Sequence, residues 1–264
     1  MSVRSVVFLA CLFSCMSLSP YHQAQEPTVA DIASGKTRVL DLSYAISDKL
    51  VPWPGDKRWF EAQTNATVER DGYFTRSFWM LEHYGTHLDA PIHFPPGKMT
   101  VDQIPAKKLF GPAVVLDVRT EAGKDADYQL TTGKIAEWER KHGRIPEGAI
   151  VLLRTGWTTR WPDVQRYRNS DAQGKMHFPG YSSAAAKMLL ERGVSGLGCD
   201  TLSADPGNSG DFPVHHLVLG AGVYLLENLT DLSEVPETAA FLVVAPIKLE
   251  GGSGGPVRVF ALLP

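Results

Sequence analysis

Cysteine is nearly absent from this chain. Of 264 residues only three are cysteines, and Cys11 and Cys15 fall in the first fifteen positions. Cys199 then has no internal partner, which excludes a disulfide scaffold, and a chain of this length buries enough core to fold without one. Cys199 ends the apolar run Val194-Ser195-Gly196-Leu197-Gly198-Cys199 and reads as a small core residue rather than a nucleophile. Basic excess is also absent: 26 Lys and Arg face 29 Asp and Glu, for a net charge of −3. No basic stripe is available to neutralise phosphates, so no nucleic-acid partner is expected, and no Lys/Arg cluster marks a membrane surface. No apolar run reaches the roughly 20 residues that a bilayer-spanning helix takes, so no stable membrane span is expected. The sequence lacks a Gly-x-Ser-x-Gly elbow, which argues against a serine hydrolase of that type. There is no repeat and no low-complexity stretch from Thr37 onward. What remains is ordinary globular composition, 44% hydrophobic and 21% charged, with one domain the default.

The start of the chain has a different character. Arg4 is a short basic region, residues 6–18 are apolar, and polar residues follow over 19–26. That order is the outline of a secretory signal peptide. Cleavage is expected after Ala24, which divides the chain into a signal over 1–24 and a folded domain over 25–264 and sends the product to a secreted or periplasmic location. His22 departs from the small-residue rule at such a site. Leu12-Phe13-Ser14-Cys15 offers the alternative, a lipoprotein box anchored at Cys15.

Hydrophobic patterning predicts strands over 39–46, 73–81, 111–118, 149–154, 194–199, 223–226, 241–246 and 257–263. Helices are expected over 132–142, with Thr131 or Thr132 as N-cap, and from Ser182-Ser183 to about Arg192, stopped by Gly193, with a shorter one over 215–219. Val51-Pro52-Trp53-Pro54-Gly55-Asp56 is a loop, since two prolines and a glycine forbid regular pairing. Residues 160–177 read as a polar, irregular surface excursion, and the Gly-rich stretch 251–255 as a connector. The sum is a mixed α/β domain with a β core.

The chemistry concentrates at residues 83–93, His-Tyr-Gly-Thr-His-Leu-Asp-Ala-Pro-Ile-His. His83, His87, Asp89 and His93 all occupy odd positions, which share one face of an extended chain. Imidazole nitrogen and carboxylate oxygen are the donors that zinc and manganese take. A straight strand at roughly 3.3 Å per residue would hold His83 and His87 about 13 Å apart, too far for ligands of one ion with bonds of about 2 Å. The chain must bend, and Gly85 lies where it can. Pro91 argues against a continuous metalloprotease-type helix. The alternative is a set of separate histidines, each satisfied by a backbone hydrogen bond. Downstream, His215 and His216 are adjacent and Glu227 follows; a helix end and a strand end can return to one place, though spacing alone does not show it. Asp200, Asp205 and Asp211 read as turn or cap residues.

The segment 83–93 matches His-x-Gly-Thr-His-x-Asp-x-Pro-x-His at every specified position. On that pattern the chain resembles the cyclase family that includes bacterial kynurenine formamidase and isatin hydrolase. Trp53-Pro54-Gly55-Asp56, Gly111-Pro112-Ala113-Val114-Val115, Phe212-Pro213-Val214-His215, Glu227-Asn228-Leu229, Pro246-Ile247-Lys248 and Gly254-Gly255-Pro256-Val257-Arg258 extend the likeness along the chain. The resemblance implies a swivelling β/β/α fold with a mixed β core, assembled as a homodimer or homotetramer. It implies two divalent ions per chain, usually Zn2+ with Mn2+ as the alternative. His83, His87 and Asp89 would hold the first, with Asp89 and Glu227 bridging to a second that His215 completes. By the same resemblance His93 is the general acid/base, Trp53 borders the substrate pocket, and His216 stays outside the site. The implied reaction is hydrolysis of the C–N amide bond of a small aryl formamide by metal-activated water. A cyclic amide such as isatin is the alternative substrate, and a non-catalytic metal or small-molecule binding protein the alternative class, disfavoured by an intact His93. Isatin hydrolases typically lack the glutamate matching Glu227, so its presence favours the two-metal type. A signal peptide departs from the family's cytoplasmic role in tryptophan breakdown. Asn65 and Asn228 open glycosylation sequons, and the second, next to an implied ligand, is expected to stay unused.

Overall fold

The structure, a computed structural model, describes residues 28–264; the expected signal over 1–24, with Cys11 and Cys15, lies outside the described residues. Twelve strands occur among them: β1 (Arg38–Asp41), β2 (Phe60–Ala66), β3 (Thr75–Met80), β4 (His87–Asp89), β5 (Phe110–Asp117), β6 (Gln129–Leu130), β7 (Ile150–Arg154), β8 (Gly180–Tyr181), β9 (Gly196–Cys199), β10 (Tyr224–Glu227), β11 (Phe241–Pro246) and β12 (Gly254–Leu263). The runs richest in Val, Ile and Leu are the parallel strands, because such strands are covered on both faces and need apolar side chains throughout. All five residues of β7 are buried. β5, β7, β9 and β10 run parallel in that order. β11 joins β5 antiparallel, β12 joins β11, and β4 pairs with both β10 and β12. The sheet thereby closes on itself as a mixed barrel of seven strands, with β1 added along β12.

Alternation along the strands divides the core into two layers. Ala113, Val115, Ile150, Leu152, Leu226, Leu242, Val244 and Val259 belong to one cluster. Val114, Leu116, Val151, Leu153 and Leu197 belong to the other, where Ile135, Trp138, Ala185, Leu189, Val214 and Val218 from the helices meet them. Those helices are Thr132–His142, Ser183–Leu190 and Pro213–Gly220. Their starts follow local rules: the Thr131 hydroxyl accepts from Lys134 N, and the Ser182 hydroxyl from Ala185 N. The α/β expectation with a mixed β core is therefore borne out, as is the core placement of Cys199. Among the described residues no helix is long and apolar enough to cross a membrane.

Three local expectations are corrected. Strand character ends at Asp41 rather than continuing to residue 46, because after Leu42 N bonds to Val259 O the chain leaves the sheet. The excursion at 160–177 is not a surface feature throughout. It contains the helix Val164–Arg168, and Tyr167 is fully buried beside Trp157, Met176 and Phe178. The Gly-rich stretch is not only a connector, since β12 begins at Gly254, where the barrel closes on β4. There a Cβ would stand 2.5 Å from Leu88 O and 2.6 Å from His83 Cε1, so only glycine permits the approach. The hairpin of β2 with β3 forms a separate two-stranded sheet; the mixed polar sequence of β2 carries no strand signature.

Candidate metal centre and active site

The site is assembled where β4, β10 and the helix Pro213–Gly220 meet. β4 and β10 are antiparallel with Glu227 opposite His87 and Leu225 opposite Asp89. Just before β4, Gly85 adopts φ +69, a left-handed conformation that glycine enters freely. That is the bend the spacing demanded. It brings the His83 and His87 ring centroids to 5.3 Å, and His83 Nδ1 to 2.6 Å from Asp89 Oδ1. His87 Nε2 lies 3.2 Å from Asp89 Oδ1 and 3.5 Å from Glu227 Oε2. His215 Nε2 lies 3.3 Å from Asp89 Oδ2 and 3.2 Å from Glu227 Oε1. Two donor groups result, His83/His87/Asp89 and Asp89/His215/Glu227, each with ligand atoms within 4.8 Å and with Asp89 in both.

These residues fit a divalent metal. Asp89 is 1% exposed, and its Oδ2 accepts no hydrogen bond among the described residues, because His215 Nε2, 3.3 Å away, belongs to a ring whose proton sits on Nδ1 toward Asp205. A buried carboxylate oxygen with no donor is costly unless a cation meets it. Each imidazole also has its far nitrogen held by an oxygen, the arrangement that orients metal-binding histidines. His87 Nδ1–H donates to Gly85 O at 2.9 Å, and His215 Nδ1–H to Asp205 Oδ2 at 2.6 Å. His83 Nε2 stands 2.9 Å from Ser253 Oγ, whose hydroxyl donates to Glu82 at 2.6 Å. Asp205 also accepts the backbone N–H groups of Val214 and His215. It is the helix cap that the sequence suggested, and in addition the group that aims His215. Burial alone would push His87 down, but Asp89 and Glu227 draw it up to about 9. Asp89 is held well below the usual carboxylate range by the imidazoles around it, against the opposing effect of burial.

His93 differs from the other three. It ends the single turn Pro91–His93, which takes it off the extended face shared by its neighbours. Its ring stacks on His83 at 3.8 Å between centroids and stands 6.2 Å from that of His215. Neither donor group includes it. Burial pushes it down to about 4, so the imidazole is neutral at neutral pH with a lone pair to offer.

All seven residues singled out from the sequence, His83, His87, Asp89, His93, His215, Glu227 and Trp53, line one cavity of about 500 Å³. Its other walls are apolar at Val51, Leu81, Phe94, Leu202 and Phe212 and polar at Asp56, Glu82, Ser203, Asn228 and Ser253, and among the described residues no Lys or Arg lines it. Trp53, Phe94 and Phe212 form an aromatic wall, with centroids 5.9 Å apart for Trp53–Phe212 and 5.7 Å for Phe94–Phe212. Phe212 holds φ +48 at the start of its helix, a strained backbone of the kind that gathers at functional sites. His216 contacts Phe94 but does not line the cavity. Sequence reasoning missed Phe94, Phe212, Glu82 and Ser253. Phe94 directly follows the motif and was open to suspicion; Glu82 and Ser253 meet across 171 residues and left no local signal. Asp200 is structural, its buried carboxylate accepting from Thr155 N, Thr155 Oγ1 and Gly156 N, whereas Asp211 is exposed.

Comparison with known proteins gives a consistent set. The family model described as a putative cyclase matches residues 40–206. The chain is 36% identical over 251 residues to isatin hydrolase of Roseibium aggregatum, covering 89% of this chain and 95% of that protein. It is 30% identical over 224 residues to kynurenine formamidase of Salinibacter ruber, covering 83% and 95%. Among solved structures, an isatin hydrolase bound to the product analogue thioisatinate superposes with a TM-score of 0.84 at 29% identity, covering 89% of this chain and 95% of that one.

Proposed function

Because the chain belongs to the cyclase family, and is with its relatives a metal-dependent hydrolase of amide C–N bonds, we propose that its substrate is a small aryl formamide. The observation that carries this reading is a shared buried carboxylate, Asp89, between two donor groups, with an unligated neutral His93 at the edge of an aromatic-walled cavity. In this reading His83, His87 and Asp89 hold one ion, and Asp89, His215 and Glu227 a second, zinc first and manganese as the alternative. A divalent metal held there would supply an acidified water at neutral pH and a charge that polarises the amide carbonyl. The chain's own residues do the rest. Trp53, Phe94 and Phe212 take the aryl ring between them and exclude water from it. His93, kept neutral by burial and fixed by stacking on His83, accepts a proton from the attacking water. It then returns that proton to the leaving nitrogen.

A second reading, hydrolysis of a cyclic amide such as isatin, is favoured by the higher identity to isatin hydrolase, 36% against 30% for kynurenine formamidase. Glu227 favours the first. The test is metal analysis of the purified protein followed by a panel of aryl formamides and cyclic amides. Formate release from the formamides is the expected outcome. Ring opening of the cyclic amides alone would select the second reading. Full metal without turnover of any amide would leave only a binding protein.

The basic start and the apolar run over 6–18 further support export, with a signal over 1–24 and one catalytic domain over 25–264. N-terminal sequencing of the exported product should show loss of roughly 15–25 residues; a cytosolic product that keeps Met1 overturns this, and a lipid on Cys15 selects the anchored alternative. A homo-oligomer is supported by the β2–β3 hairpin, which leaves Phe78 64% exposed and Trp79 40% exposed. An isolated two-stranded hairpin is marginal in water. Sedimentation showing a monomer at micromolar concentration would remove that support.

A further inference from the structure

Two of the three imidazoles of the cluster are aimed by a side chain, but His87 is aimed by a backbone carbonyl, that of Gly85. A glycine carbonyl in a left-handed turn is a mobile acceptor unless something holds it. Here it is held across 143 residues: Asn228 Nδ2–H donates to Gly85 O at 3.1 Å. Every polar atom of Asn228 is engaged. The Tyr167 hydroxyl lies 3.1 Å from its Oδ1 and equally 3.1 Å from Asp200 O, so its one proton is shared between these two acceptors; Thr86 Oγ1–H donates to its carbonyl at 2.6 Å, and its own N–H donates to Thr201 O at 2.9 Å. The side chain is buried, and the backbone sits at φ +54, a region that asparagine enters more readily than most residues. Aspartate would tolerate the same backbone and still accept from Tyr167, but it would set an oxygen against the Gly85 oxygen. Only a carboxamide supplies an acceptor to one neighbour and a donor to the other.

We infer that Asn228 is a positioning residue for the metal centre: its carboxamide pins the Gly85 carbonyl, and through it holds His87 with Nε2 turned toward Asp89 and Glu227. The same residue follows Glu227 directly, so one side chain ties together the two strands whose facing positions carry His87 and Glu227. This rests on the reading of His87 as a metal ligand.

The test uses the full mature protein and zinc alone as the probe. Asn228→Gly keeps the left-handed backbone available and deletes only the amide. Asn228→Asp keeps the acceptor and removes the donor, and Tyr167→Phe removes the hydroxyl that steadies the amide. Zinc affinity by chelator competition should fall in Asn228→Gly, by up to the roughly 10- to 100-fold that losing a direct outer partner of a metal-binding histidine costs, since the Gly85 carbonyl stays but is no longer pinned. Asn228→Asp should fall at least as far, and Tyr167→Phe less but in the same direction. In zinc-loaded protein the His87 Nδ1 proton, read by NMR, should exchange faster in each variant, while circular dichroism shows one cooperative melt. If Asn228→Gly does not fold, the other two variants are read in the same way. Wild-type affinity with unchanged exchange overturns the inference, and so does weaker zinc with His87 exchange unaltered. Wild-type protein that takes up no zinc overturns the ligand reading itself, and the inference with it.

Discussion

Asp89→Ala should cost the protein both proposed ions and its activity in one step. The carboxylate is the only member of both donor groups. One oxygen lies 2.6 Å from His83 Nδ1 and 3.2 Å from His87 Nε2, the other 3.3 Å from His215 Nε2. Without it, neither group keeps three donors. The change removes one of the two carboxylates that raise His87, so its imidazole moves back toward the neutral form while Glu227, 3.5 Å away, remains as its partner and no buried cation is left unpaired. Circular dichroism should therefore show a native fold. Elemental analysis should show metal near zero against the up to two ions per chain proposed for wild type, and hydrolysis should fall below detection. Glu227→Gln is the contrast, since it leaves His83, His87 and Asp89 intact and should retain part of the metal. Full metal and full turnover in Asp89→Ala would show the site to be misassigned.

The second large effect separates proton transfer from metal binding. His93→Ala should leave metal content nearly unchanged while amide hydrolysis drops about 100- to 10,000-fold, the range for losing a general acid/base. His87→Ala should lose metal and activity together. The two histidines are six positions apart in one segment, yet their surroundings are opposite. His87 is drawn up to about 9 by Asp89 and Glu227, whereas burial pushes His93 down to about 4. His87 Nε2 faces two carboxylates within 3.5 Å; His93 instead stacks flat on His83. A general folding defect should strike both variants and show in circular dichroism. Stoichiometry and turnover measured on both decide the matter. His93→Ala protein that sheds metal as readily as His87→Ala would make His93 a ligand, and unchanged turnover would put the proton shuttle elsewhere.

Much of this could be read from the sequence because it is local. Thr131 and Ser182 cap their helices, the Val/Ile/Leu runs of β5 and β7 become strands buried on both faces, and the need for a bend at Gly85 follows from distance alone. Each depends on residues within one or two turns of chain, so composition and period suffice. That His215 and Glu227 would join His87 was implied by family resemblance, not by spacing. Only tertiary structure decided the rest. Barrel closure sets Glu227 opposite His87, brings Gly254 against β4, and places Ser253 between Glu82 and His83. It also buries Tyr167 from a segment that reads as polar, and sets that hydroxyl on Asn228. These pairings join residues 61 to 171 positions apart, where no periodicity reaches. They arise because a closed sheet must satisfy every buried polar group from whatever strand lies beside it.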